Sequence, residues 1–102
     1  MFDTFLEYAI SVEGVIMEFV NDTNIKARFD YYDVDGIQQQ LTLQPFDTVL
    51  VSNVDLPGNI AVTLFDSNNQ QAWATLHGVL TIDSIVAGVI EGNNEEPKLD
   101  II

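Results

Sequence analysis

Between Ile25 and Gln44 the sequence IKARFDYYDVDGIQQQLTLQ alternates apolar and polar residues around one glycine, and no other stretch constrains the fold as much. Period-two alternation sends successive side chains to opposite faces of a strand. The loop between two such runs then decides which residues share a face. A two-residue Asp35-Gly36 loop would oppose Leu41 to Asp30 and Leu43 to Arg28, mixing apolar and charged groups. A three-residue loop, Val34-Asp35-Gly36, instead pairs Ala27 with Leu43, Phe29 with Leu41 and Tyr31 with Gln39. Lys26, Arg28, Asp30 and Tyr32 then share the other face with Gln38, Gln40, Thr42 and Gln44. Glycine at the last loop position suits a type I turn followed by a bulge. The sequence therefore predicts this hairpin and its register.

The same test applied upstream gives a second hairpin. Leu6, Tyr8, Ile10 and Val12 alternate with polar or small residues, and Val15, Met17 and Phe19 resume the pattern after Glu13-Gly14. One continuous strand would put Glu18 on the face of Leu6 and Tyr8. A two-residue turn at Glu13-Gly14 pairs Val12 with Val15, Ile10 with Met17 and Tyr8 with Phe19, and gathers the large apolar side chains on one face. The competing reading is a helix from Thr4 to Glu13, with Thr4 and Glu7 as a capping box.

Downstream, Pro45 opens a turn into a strand over Thr48 to Val54. Leu56-Pro57-Gly58-Asn59 reads as a type II turn, followed by a strand from Ile60 to Phe65 and a turn at Asp66 to Gln70. A strand from Gln71 to His77 is expected next, with Gly78 marking a bulge or bend before Val79 to Ile82. Ile85 to Ile90 reads as a further strand. The acidic, proline-containing stretch from residue 91 reads as a loosely ordered tail, with Leu99, Ile101 and Ile102 as candidates to dock. Seven or eight short strands joined by tight turns imply an all-β chain, an antiparallel sandwich or a small barrel, with residues 1–90 as one domain.

At 102 residues there is room for one core. The absence of cysteine excludes disulfides, thiolate metal sites and a cysteine nucleophile. The opening MFDTFLEYAI carries Asp3 and Glu7 and no basic residues, unlike a secretory signal. No apolar run is long enough for a membrane helix. A soluble chain in a cytoplasmic or virion-type setting is expected. Sixteen acidic residues face Lys26, Arg28 and Lys98, for a net charge of −13. Nucleic acid and anionic membranes are poor partners for such a chain, whereas basic proteins and cations are not repelled.

No catalytic constellation stands out. Asp33, Asp35 and Gly36 suggest a calcium loop, but with Gly36 at the sixth position the first falls on Tyr31 and the twelfth on Thr42, so the ligands are missing. His77, the only histidine, has no serine or carboxylate at a spacing that marks a triad. Trp73, Tyr31 and Tyr32 form a possible sugar platform, yet the registers above point Tyr31 inward, Tyr32 outward and Trp73 across from Leu64. The carboxylates fall mostly in turns, at Asp22, Asp35, Asp47, Asp55 and Asp66, where aspartate bonds its own loop. A strand face imitating phosphates would need them at successive i, i+2 positions, about 6.7 Å apart.

Apolar residues on both faces are the remaining signal. Val79, Leu80, Ile82, Ile85, Val86, Val89 and Ile90 carry it, as do Val49, Leu50 and Val51. Strands of that kind lie between two layers or at a subunit interface. The expectation is a non-enzymatic domain without cofactor or metal, acting through protein–protein contact or homo-oligomeric assembly, with those seven residues as the candidate interface. An acidic inhibitor mimicking DNA on a basic, nucleic-acid-binding protein is the second reading. A small-ligand or glycan binder is the third.

Overall fold

The computed structural model describes residues 15–91 and 96–102. Among them the chain forms eight strands: β1 (Val15–Asp22), β2 (Lys26–Tyr32), β3 (Gln38–Leu43), β4 (Thr48–Val54), β5 (Gly58–Phe65), β6 (Leu76–Leu80), β7 (Val86–Glu91) and β8 (Pro97–Ile101). They build two four-stranded sheets, one ordered β4-β1-β7-β8 and the other β3-β2-β5-β6. All neighbours are antiparallel except β1 and β7, which run parallel. The all-β expectation holds, in the sandwich form.

The β2–β3 hairpin has the register read from the sequence: Ala27 faces Leu43, Phe29 faces Leu41 and Tyr31 faces Gln39. Gly36 sits at φ 77°, where any other residue is strained, and its N–H donates to Asp33 O at 2.9 Å. Beyond the hairpin, Val34 N donates to Asn53 O and Asp55 N to Tyr32 O, both at 3.0 Å, so the end of β2 ties into the opposite sheet.

The core lies between the sheets. Met17 and Phe19 of β1 point inward, as their alternation implied, onto Phe29, Val62 and Val89. Phe19 stacks on Phe29 at 5.1 Å and meets Tyr31 edge-on at 5.2 Å. Such pairs add about 0.5–1.5 kcal/mol beyond their burial. The upstream half of the first expected hairpin, and the rival helix from Thr4 to Glu13, lie outside the described residues. Its described half, β1, has β4 on one side and β7 on the other.

Four expectations change. The Leu56-Pro57 bond is cis, and Gly58 has no positive φ, so the turn is not type II. Gly58 is needed for space, since a Cβ there would lie 2.7 Å from Asp55 O. The strand expected over Gln71 to His77 reduces to one bridge between Phe65 and Gln71, and β6 begins only at Leu76. Gly78 is neither bulge nor bend but sits within β6, where its missing Cβ leaves room for Leu99 and Ile101 of β8. Finally, the segment read as a loose tail contains β8, which pairs along β7 with Leu99 opposite Val89 and Ile101 opposite Ala87. Docking of Leu99 and Ile101 against the core explains this order.

Candidate functional site

Two regions stand out: the outer face of the β4-β1-β7-β8 sheet, and one end of the sandwich.

Strand register builds the outer face. Glu18 lies between Leu50 of β4 and Val86 of β7, and Val20 lies between Thr48 and Gly88. Ile90 follows beside Lys98 of β8, and Ile102 is hydrogen-bonded to Val86 through both backbone groups. Leu50 and Ile102 are 62% and 66% exposed. Ile16, Val20, Val86 and Ile90 are half-buried beside them. The charges interspersed on this face are Glu18, Asp22, Lys98 and Asp100. The outer face of the other sheet is polar by contrast, with Gln38, Gln40 and Thr42 of β3 exposed next to Arg28 and Asp30 of β2. There Arg28 lies over the Phe65 ring and donates from Nε to Asp30 Oδ2 at 3.3 Å.

The seven residues singled out for apolar character on both faces are split apart. Leu80 and Val89 are core. Val86 and Ile90 lie on the apolar outer face. Ile82 and Ile85 project from the β6–β7 connection, and Val79 from the outer face of β6, all strongly exposed. Leu50 and Ile102 belong with Val86, although sequence reasoning did not join them. Alternation assigns a residue to a face but not to a neighbouring strand.

At the end of the sandwich the connections β1–β2, β3–β4 and β5–β6 meet around two adjoining clefts of about 240 and 410 Å³. Asn24, Ile25 and Asp66 line both. Trp73 and Glu91 line the smaller, and Lys26, Gln44 and Asn69 the larger. Trp73 was expected across from Leu64. Instead Ala72 takes that place, its N–H donating to Leu64 O at 2.9 Å, and Trp73 stands 40% exposed.

Side-chain bonds fix the loops around these clefts. Asn21 is fully buried, and its Nδ2 donates to Ile25 O, Leu43 O and Gln44 O at 2.8–3.2 Å. Its Oδ1 accepts from Thr23 N and Thr23 Oγ1 at 3.1 and 2.7 Å. Asp66 Oδ1 accepts from the N–H groups of Asn68 and Gln70 at 2.9 and 3.0 Å. Gln71 Nε2 donates to Trp73 O at 2.8 Å. Lys26 Nζ donates to Asn69 Oδ1.

Among the described residues no catalytic set forms around the remaining candidates. His77 is exposed on β6. Asp33 Oδ1 accepts from Asp35 N and Ile37 N, and its Oδ2 from Gln39 Nε2. The Gln39 amide, then the Ile37 N–H, hold its carboxyl below the usual aspartate range. Burial, then the nearby Asp33 carboxylate, push the Tyr31 hydroxyl up. Among the described residues no group of three or more histidine, aspartate or glutamate side chains is placed to hold a metal. No described helix is long and apolar enough to cross a membrane. No family model, curated protein or solved structure matches this chain.

Proposed function

We propose that this chain is a non-enzymatic β-sandwich that acts by protein–protein contact, with a second copy of itself as partner, through the outer face of the β4-β1-β7-β8 sheet. The observation that carries the reading is the run Leu50, Val20, Val86, Ile90 and Ile102 across a face whose interspersed charges are Glu18, Asp22, Lys98 and Asp100. Two copies repel one another through their acidic turns, and at this face the covering of the apolar run has to outweigh the repulsion among Glu18, Asp22 and Asp100, which Lys98 offsets in part. Solvent-exposed apolar area of this kind gains about 25 cal/mol per Å² when covered.

Sedimentation velocity over micromolar concentrations tests it. The expected result is a species of twice 11.4 kDa, strengthened by salt because screening weakens the repulsion between acidic copies. Leu50→Lys and Val86→Lys should each return it to the monomer. A monomer at every concentration removes self-association, and a dimer indifferent to both substitutions removes this face.

A further inference from the structure

We propose that the end cleft beside Trp73 binds a short, neutral oligosaccharide. This does not rest on the self-association reading, because the cleft belongs to the loops at the end of the sandwich and not to a sheet face.

Trp73 is the starting point. Burial would be the ordinary fate of the chain's one tryptophan, yet the loop holds its backbone with the residue 40% exposed. Ala72 N–H is tied to Leu64 O, and Thr75 Oγ1 meets Thr63 Oγ1 at 3.1 Å, anchoring the loop on both sides of the tryptophan. An exposed indole offers a flat apolar surface, and the C–H faces of sugar rings stack on such surfaces.

The polar groups around it match hydroxyls. Asn24, Asp66 and Glu91 share the cleft with Trp73, and Gln44 and Asn69 continue the line into the adjoining cleft. Amides both donate and accept, carboxylates accept, and a vicinal diol satisfies either. A cationic ligand would find the carboxylates but would leave the amide N–H groups unmatched, and Lys26 would repel it. An anionic ligand meets Asp66, Glu91 and the field of a −13 chain. A neutral, many-hydroxyl ligand conflicts with none of these groups. The larger cleft, about 410 Å³, lies within the size that small ligands occupy, and the Trp73 cleft, about 240 Å³, lies just below it, so a ligand longer than one sugar ring would extend across both.

The site is also preorganised. Asn21 and Thr23 fix the turn carrying Asn24, and the Asp66 carboxylate is fixed by two of its own loop's N–H groups. Rigid loops spare the ordering cost that weakens most shallow sites.

The test uses the full chain on an array of neutral, sialylated and sulfated glycans, followed by titration of Trp73 fluorescence with a trisaccharide from the brightest neutral group. Trp73 is the only tryptophan, so its emission reports this cleft alone. Expected are signals confined to neutral glycans, a saturable emission change, and little sensitivity to salt. Trp73→Ala, followed by calorimetry, should weaken binding at least about tenfold. Asn24→Ala keeps the reporter and should weaken binding several-fold with an unchanged circular dichroism spectrum. An array that is dark or bright only for charged glycans overturns the proposal. So does undiminished binding by Trp73→Ala, or saturation by spermine in place of sugar.

Discussion

Replacing Asn21 by alanine tests whether the loop end of the sandwich is held by one buried amide. The side chain is fully buried and joins three carbonyls to the backbone and hydroxyl of Thr23. Alanine strips all of these bonds at once. Water reaches the exposed Gln44 in their place, and Leu43 keeps its partner Ala27 in the ladder. Ile25 O keeps the Thr23 hydroxyl as a donor at 3.0 Å. The losses without compensation are Thr23 N and the packing of the amide, at roughly 1 kcal/mol each, so the cost is about 2 kcal/mol. With a urea m-value of about 1.5 kcal/mol/M, the midpoint should fall by about 1.3 M at unchanged slope. Asn21→Asp sharpens the test. A carboxylate aimed at carbonyls has a raised folded pKa, so its stability is present at low pH and is lost as pH rises through that value. A midpoint shift below about 0.5 M for Asn21→Ala would refute the reasoning. So would an Asn21→Asp variant whose stability grows with rising pH.

The glycines should differ in rank. Gly58→Ala meets the rigid Asp55 carbonyl at 2.7 Å and should cost about 2 kcal/mol or more, whereas Gly78→Ala meets the flexible ends of Ile101 and Leu99 and should cost about 1. Gly88→Ala, with its nearest neighbour at 3.6 Å, should be close to neutral, and urea melts of the three variants check the order. At Gly36 the Cβ would meet nothing within 4 Å, so alanine should cost about 1 kcal/mol through positive φ alone and asparagine less. Asp33 has a lowered carboxyl pKa, so its contribution to stability is full above the unfolded value of about 3.9 and fades as pH falls through the folded one. Carboxyl NMR titration should place its midpoint below the usual aspartate range, and Gln39→Leu should move that midpoint up; an unmoved midpoint contradicts the assigned cause.

The part of the fold that is legible in the sequence is the part where one loop fixes a register. Between Phe29 and Leu41 a single glycine leaves only one loop length that separates apolar from charged faces, and the structure has it. Gln71 to His77 fails for the opposite reason. Ala72 and Ala74 offer little apolar area to hold a strand, and the Gln71 amide bonds Trp73 O and Thr75 Oγ1 within the loop. Such local bonds compete with a ladder. Pro97 marked a tail because proline breaks pairing inside a sheet, but at the first residue of an edge strand it costs nothing. The parallel β1–β7 pair has no signature in the alternation, so the neighbours of Val20 and Val86 were invisible. For the same reason the outer-face patch is legible only in fragments, whereas Trp73 is legible as a candidate sugar contact but its cleft partners Asn24, Asp66 and Glu91 come from separate loops that alternation does not bring together.

The two outer faces and the acidic turns together set how this sandwich can meet other molecules. Carboxylates at Asp33, Asp47 and Asp66 each accept from backbone N–H groups of their own loops, so these acids stabilise turns before they recognise anything. Their field extends over about 8 Å at physiological ionic strength and discourages close approach at the loop ends by anything anionic. A neutral ligand would escape that penalty at the Trp73 cleft, and a second copy would meet it at the Leu50–Val86 face from Glu18, Asp22 and Asp100, offset in part by Lys98. The acidity would then act chiefly by exclusion, and the specificity of both proposed surfaces would come from their uncharged groups, the apolar run on the sheet face and the indole and amides at the cleft.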